Sequence, residues 1–526
     1  MMEKRVAIIG AGISGLLACK HAASNGYDPI VFEAQDKVGG LWNQTNETTR
    51  LQNVKETFQF SDFAWPTSVE DVFPHNKQLL EYLQSYADKF ELLRYIRFNS
   101  EVVSIDYVGV SDDEMLTWDL WGGGGGAFGS SAASNGGGRW ILKVFDTQNQ
   151  TIKEYEAEFV VVCIGRFSGL ANIPEFPPES GPEIFSGKVL HSMEYSAMDN
   201  ASAAELIKGK KVAIIGSGKS AIDIAFECAN ANENKNPCTV IQRTTHWMYT
   251  PSIAYLGFNR FSELMVHKPG EGLFSSMLAT SLSPLRWAVS KMIESYLKYK
   301  LPLKKYDMIP KQSFFQEASS CQILFLPEKF YDKVEDKSII LKKSNKFISF
   351  CKEGLIIDGD ENNPVKVDIV IFATGYKGEE KLKNLFSSPT FQTYIEGSPS
   401  STIPLYRQIV HPRIPQLAII GYSESLANLY TFEMRCKWLS FFLDGAFNLP
   451  SIKEMEKDIQ EWDKYMKKYS GNGKFRRACI GGVHIYYNDQ LCRDIGCNPR
   501  RKKGCFAELF QPYGPADYVG LAPGQV

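Results

Sequence analysis

The sequence predicts an α/β protein with two Rossmann-like dinucleotide-binding domains, one inserted into the other. Three observations carry this reading. The opening stretch Lys4–Cys19, KRVAIIGAGISGLLAC, returns in mid-chain as Lys210–Ala225, KKVAIIGSGKSAIDIA. Each copy joins an apolar run of strand length to a glycine turn and then to a run with helical spacing. Two further apolar runs, Glu158–Gly165 and Val367–Tyr376, lie on either side of the second copy, and each reads as a fully buried strand of a parallel sheet.

In chain order, the first unit is predicted as a strand at Arg5–Ile9, a helix from about Gly12 to Asn25 that Gly26 stops, and a strand at Pro29–Phe32. The run of lysine, arginine and small apolar residues at the start has the look of a secretory signal, but its three glycines sit at nucleotide-loop spacing. An amphipathic helix follows in KQLLEYLQSYADKF. The glycine-, serine- and alanine-rich segment 122–138 is expected to be a flexible hairpin tip, because it has little apolar surface to bury. The second unit is predicted as a strand at Lys211–Ile215, a helix from about Gly218 to Asn230 and a strand at Cys238–Gln242. Residues 250–330 read as helical and irregular, and the end of the chain as helices such as SIKEMEKDIQEWDKYMKKY.

Composition limits the function. The chain has 526 residues, 44% hydrophobic and 22% charged, enough for more than one globular domain. Its 58 basic and 60 acidic residues give a net charge of -2, so no global field favours nucleic acid. No uncharged apolar segment is long enough to span a bilayer. The eleven cysteines are scattered, odd in number and without a C-x-x-C pair. They read as thiols in a reducing compartment, the cytoplasm, with no disulfide framework and no metal site.

In Gly10-Ala-Gly12-Ile-Ser-Gly15 the first glycine permits the turn, the second lets backbone approach a pyrophosphate, and the third lets helix pack on strand. Glu33, at the end of the next strand, is placed to bond a ribose hydroxyl and would repel a 2′-phosphate. That leaves FAD or NAD, and the following Gly39, Gly40 and Trp42 favour FAD. In Gly216-Ser-Gly218-Lys219-Ser220-Ala221 the third glycine is alanine, and the next strand ends in Gln242, Arg243, Thr244, Thr245 and His246. Arg243 can pair a phosphate bidentately, which points to NADPH, and Lys219 can add to the phosphate field. Arg243 also has a reading as a solvated surface charge, and His246 as a packing or capping residue. Two loops therefore imply two dinucleotides, with residues 1–205 and 366–526 forming an FAD-binding domain and 206–365 an inserted NADPH-binding domain.

Between the loops, FSGKVLHSMEY places Phe185, Gly187, His191 and Tyr195 in the F-x-G-x-x-x-H-x-x-x-Y/F pattern. With FATGY at Phe372–Tyr376, Val38–Trp42 and the order of these elements, the chain resembles the flavin-containing monooxygenases, and looks most like the plant branch typified by N-hydroxypipecolate synthase. The resemblance implies FAD held tightly and NADPH as hydride donor. Oxygen would pass from a C4a-hydroperoxyflavin to a nucleophilic nitrogen or sulfur of a small amine, amino acid or thioether, such as pipecolate in plant defence. It also implies cofactor contacts at His191, Thr374, Gly375 and Tyr376, although His191 and Tyr195 equally suit packing of the domain junction and Tyr376 suits a core. The family's asparagine beside the flavin falls, by count from Asp62, on Gln52, with Asn53 adjacent. The C-terminal hydrophobic tail of membrane-bound animal members is missing, which favours a soluble enzyme. Oxygenation of a ketone or α-keto acid, as by Baeyer–Villiger or indole-3-pyruvate monooxygenases, shares both loops and stays open. A binding protein like the Rab GDP-dissociation inhibitors shares only the first.

Overall fold

The computed structural model describes residues 4–129, 138–249, 257–469, 477–522 and 524. Two five-stranded parallel sheets organise the chain. The first has the strand order Leu417–Ile419, Phe159–Val162, Val6–Ile9, Ile30–Phe32, Ile96–Arg97. Val6–Ile9 lies at its centre, all four residues buried, because a run this apolar has both faces covered by helices. The second has the order Ile339–Lys343, Cys238–Gln242, Val212–Ile215, Ile369–Phe372, Lys188–His191. All its strands fall between the last two strands of the first sheet in sequence, so one Rossmann unit is inserted into the other.

Strand pairing departs from the expected division at 205/206 and 365/366. Ile369–Phe372 runs between Val212–Ile215 and Lys188–His191, so both flanking strands belong to the second sheet. An apolar run buried on both faces fits any central parallel strand, and its sequence does not say which sheet receives it. Phe159–Val162, by contrast, joins the first sheet beside Val6–Ile9, as expected.

A third, antiparallel sheet carries the predicted hairpin, with Ser100–Val108 paired to Arg139–Asp146 and that strand to Thr151–Ala157. Its connection corrects a second expectation. Residues 122–129 are not a flexible tip: Gly122 and Ala127 are buried, and the Gly125 carbonyl accepts from Leu449 N–H at 2.9 Å. Trp121, fully buried, anchors the stretch by donating its indole N–H to the His411 carbonyl. Residues 130–137 lie outside the described residues.

The cysteine reading also needs correction at one place. Cys321 and Cys479 form a disulfide across 158 residues, while nine other cysteines are free. Spacing could not reveal it, since the fold alone brings the end of helix Phe314–Ser319 against the segment before helix His484–Asp494.

Candidate active site

The two glycine loops separate what the fold needs from what it leaves empty. Gly10 has φ +102°, and a Cβ there would sit 2.7 Å from the Cys163 carbonyl oxygen. Gly216 has φ +153°, and a Cβ would meet the Ala373 carbonyl oxygen at 2.2 Å. A Cβ on Gly15 would lie 1.8 Å from the Gly10 oxygen, so helix Ile13–Ser24 docks on its turn only with glycine there. The middle glycines differ. Gly12 is extended, and the nearest atom a Cβ there would meet is Gly40 Cα at 3.5 Å, while a Cβ on Gly218 would have nothing within 4 Å. The chain itself does not require these two to be glycine.

Both loops lead into helices, Ile13–Ser24 and Lys219–Asn232, whose N-caps are glycines with no side-chain cap and whose first turns hold no acidic residue. Their first N–H groups and the positive end of each dipole are therefore available to an anion. Gly40, at φ +56°, sits against Gly12 and closes the first cradle, and Trp42 follows in the same short helical turn. The residues fit a dinucleotide at each loop.

Register shows how the two sites differ. Ile9 pairs with Phe32, and Ile215 with Ile241, so the position of Glu33 is filled in the second unit by Gln242, with Arg243 one residue further on. Glu33 is buried, and its two oxygens accept from Ala11 N–H at 2.6 Å and Gln35 N–H at 2.9 Å. Burial raises its pKa, and those backbone donors oppose the shift. The half-buried ammonium of Lys381, which donates to the Ile164 carbonyl and Ser168, has its pKa pulled down to about 8 by desolvation. Gln242 is buried and neutral, while Arg243 is exposed and makes no described ion pair or hydrogen bond. Ser220 is exposed, Ala221 is fully buried where the third glycine stood, and Lys219 is turned to Asp223 on its own helix. His246 packs on the buried Glu317, 3.4 Å away, which favours the packing reading.

Phe185, Gly187, His191 and Tyr195 build the edge of the second sheet. A Cβ on Gly187 would strike the Asp368 carbonyl and the Phe185 ring. His191 caps the helix that follows by accepting from Met193 N–H, has its pKa lowered by burial, and stands edge-on to Tyr376 at 5.6 Å. Tyr195 donates to Glu227 at 3.0 Å. Thr374 donates to the Asn172 carbonyl, and Gly375, at φ +90°, has open space beside it.

Gln52 and Asn53 meet in the wall of one cavity of about 280 Å³. Gln52 Oε1 accepts from Phe325 N–H at 3.1 Å, and Asn53 donates one amide hydrogen to the Leu426 carbonyl at 3.1 Å. The other walls come from Tyr249, from Gly257–Ile323 and from Leu426, Tyr465, Gly482 and Val483. The lining is mostly apolar: Val266, Val289, Ile293, Phe314 and Phe315 among others. Among the described residues it holds one cation, Arg286, and no carboxylate. Arg286 donates to the Met265 carbonyl at 2.6 Å and lies over the Phe315 and Tyr469 rings. Of this lining the sequence marked Gln52 and Asn53, whereas Tyr249, Arg286, Tyr465, Gly482 and Val483 carry no motif that would announce them.

With this geometry, the family model described as flavin-binding monooxygenase-like matches residues 3–120 and 130–508. The chain belongs to that family. Two relatives from Arabidopsis thaliana, a probable flavin-containing monooxygenase 1 and a putative flavin-containing monooxygenase 2, are 40% and 39% identical. The first match covers 98% of this chain and 96% of the relative, and the second 94% and 98%. Among solved structures, cyclohexanone monooxygenase from Rhodococcus sp. Phi1 bound to NADP+ shares the fold with TM-score 0.65 at 17% identity, over 93% of this chain and 97% of that one. S-allyl-L-cysteine S-oxygenase from Allium sativum does so with TM-score 0.55 at 19% identity, over 94% and 88%. The protein is thus a flavin-dependent monooxygenase, and the reading as a GDP-dissociation-inhibitor-like binding protein falls. Among the described residues, no helix is long and apolar enough to cross a membrane.

Proposed function

We propose that the first loop holds FAD, the second holds NADPH, and the enzyme oxygenates the nitrogen or sulfur of a small molecule that also carries a carboxylate. The observation that carries the substrate class is the lining of the cavity at Gln52 and Asn53. Among the described residues of that apolar lining, Arg286 is the lone charge and no acid neutralises it. A half-buried cation in an apolar wall favours an anionic partner. An amino-acid-like amine or thioether supplies one, and pipecolate is a member of that class.

When bound, FAD would supply hydride acceptance from NADPH and transfer of one oxygen atom of O₂ to the substrate, the other leaving as water. The chain's own residues bind and orient. Gly12 and Gly40 leave room for the FAD pyrophosphate at the helix N-terminus, and Gly218 does the same for NADPH. Arg243 pairs the 2′-phosphate that Glu33 would repel. Gln52 keeps both amide hydrogens free to face the reacting centre, since its described side-chain bond uses only Oε1. Phe314, Phe315 and Ile293 exclude water, and a soft nucleophile needs no further acid or base.

Oxygenation of a ketone or α-keto acid is the second reading, because Arg286 would serve an anionic oxidant equally well. A panel separates the two: pipecolate, an S-alkylcysteine, their decarboxylated counterparts, cyclohexanone and indole-3-pyruvate, each incubated with holoenzyme, NADPH and O₂. Products heavier by one oxygen atom are expected from the carboxylated amine or thioether and weakly from the decarboxylated forms. Turnover of the ketone or keto acid alone overturns the proposal. We place the enzyme in the cytoplasm: nine cysteines stay free and Cys505 is exposed, which suits a reducing compartment despite the Cys321–Cys479 bond. Imaging of a fluorescent fusion tests this, and a luminal signal would refute it.

A further inference from the structure

The helix Ser283–Lys300 that walls the cavity, and the helix before it, turn an unusual face to solvent. On helix Leu273–Ser281, Leu273, Phe274 and Met277 are 87%, 80% and 70% exposed. On helix Ser283–Lys300, Leu285, Met292 and Tyr299 repeat every seventh residue as an exposed stripe, with Trp287 exposed beside it. Isolated exposed apolar residues are ordinary, but seven on two consecutive helices form a patch that needs a partner. The opposite side of the second helix supplies Arg286, Val289, Ser290 and Ile293 to the cavity.

Charge selects the partner. From Gly272 to Lys300 the chain holds Arg286, Lys291, Lys298 and Lys300 against a single acid, Glu294. Glu294 is buried and already bonded to Lys291 and Ser290. Arg286 lines the cavity and Lys291 pairs with Glu294, which leaves Lys298 and Lys300, both exposed and flanking Tyr299, as cations on the solvent face. Large apolar side chains edged by lysines on a helix too polar to span are the pattern of a helix lying in a membrane interface. A second copy fits less well, because a two-fold contact would bring cation stripe against cation stripe. We propose that this face docks the enzyme peripherally on an anionic lipid surface, seating the cavity's helical wall against the headgroups. The near-zero net charge of the whole chain does not oppose this, since juxtamembrane attraction is local and decays within a Debye length.

The test uses full-length, flavin-loaded protein and two vesicle preparations, phosphatidylcholine alone and phosphatidylcholine with about one-third phosphatidylserine. Co-sedimentation is expected with the anionic vesicles, weakening as salt is raised. The double variant Leu273→Glu, Phe274→Glu, both at exposed positions outside the cavity, should lose about tenfold or more of that binding. It should stay yellow and oxidise NADPH at the wild-type rate, which shows that it is folded. No sedimentation of the wild type with anionic vesicles, or equal sedimentation of the double variant, overturns the proposal. So does a concentration-dependent dimer that the double variant dissociates without any vesicle binding, since the face would then be a contact between copies.

Discussion

Gly12 and Gly218 lack side chains where their surroundings leave room for one, and this separates a folding requirement from a binding one. Gly10, Gly15 and Gly216 would collide with backbone if substituted, so their loss should unfold the loops. Gly12→Val should instead fold normally and come out colourless, because the new side chain enters the pyrophosphate space. Normal thermal stability with full flavin content would remove the first-loop assignment. For the second loop, Arg243→Ala should raise KM for NADPH about 10- to 100-fold and leave KM for NADH unchanged, since only the 2′-phosphate loses a partner. Equal changes with both cofactors would make Arg243 structural. Gln52 and Asn53 are separated by the same kind of comparison. Replacing the amide that serves the oxygen step by leucine should leave flavin reduction intact while NADPH consumption outruns product and H₂O₂ accumulates. The effect is expected at Gln52, whose amide hydrogens have no described partner, and not at Asn53, one of whose hydrogens holds the Leu426 carbonyl. The loop glycines are legible in the sequence because loop spacing is local, whereas Gln52 and Asn53 come only from the family resemblance and a count from Asp62. The one-residue offset between Glu33 and Arg243 is not legible there, since it appears only in the register of the strands.

Elements were readable in proportion to how far their periodicity decides them. Helix Lys219–Asn232 and the first sheet's central strand follow from spacing and apolar runs. The sheet that receives Ile369–Phe372 does not, nor does the anchoring of helix His484–Asp494. That helix begins on Glu263, whose buried carboxylate accepts from Ile485 and Tyr486 N–H, both at 2.8 Å. A pairing over such a separation leaves no local signal. Burial pushes the Glu263 pKa up to about 8, against the opposing pull of the two backbone donors. The folded state therefore holds a proton that the unfolded chain has already released above about pH 4.3. This contribution to stability is full below that value and is lost as pH rises through about 8. Thermal midpoints of wild type should fall across that window, and Glu263→Gln should flatten the slope while lowering the baseline, because one acceptor is lost. A parallel slope in the variant would show that Glu263 does not titrate there.

At the scale of the whole molecule, the two nucleotide units are joined by the segment that leads into Gln52. Thr49 donates to Asp223 at 2.9 Å, and Asn46 and Thr48 donate to Glu227, which also accepts from Tyr195. Asp223 and Glu227 stand one turn apart on the helix that begins at the second glycine loop, and Lys219 at its start pairs with Asp223. The motif residue Tyr195 is thus one post of a junction that runs from the second cofactor site to the amides beside the cavity. No sequence pattern announced it, because its partners are polar residues far apart in the chain whose meeting depends on how the inserted unit sits. If the junction holds the second site in line with the first, cutting one bond should disturb transfer between them without emptying either. Thr49→Val keeps the shape and removes the donor to the buried Asp223, at a cost on the order of 1–3 kcal/mol. The expected result is unchanged flavin content, a KM for NADPH raised roughly three- to tenfold, and less product per NADPH consumed. Stopped-flow reduction of the flavin should slow in step, with Thr49→Ser restoring both. Wild-type reduction and coupling in Thr49→Val would leave the junction with a purely structural role.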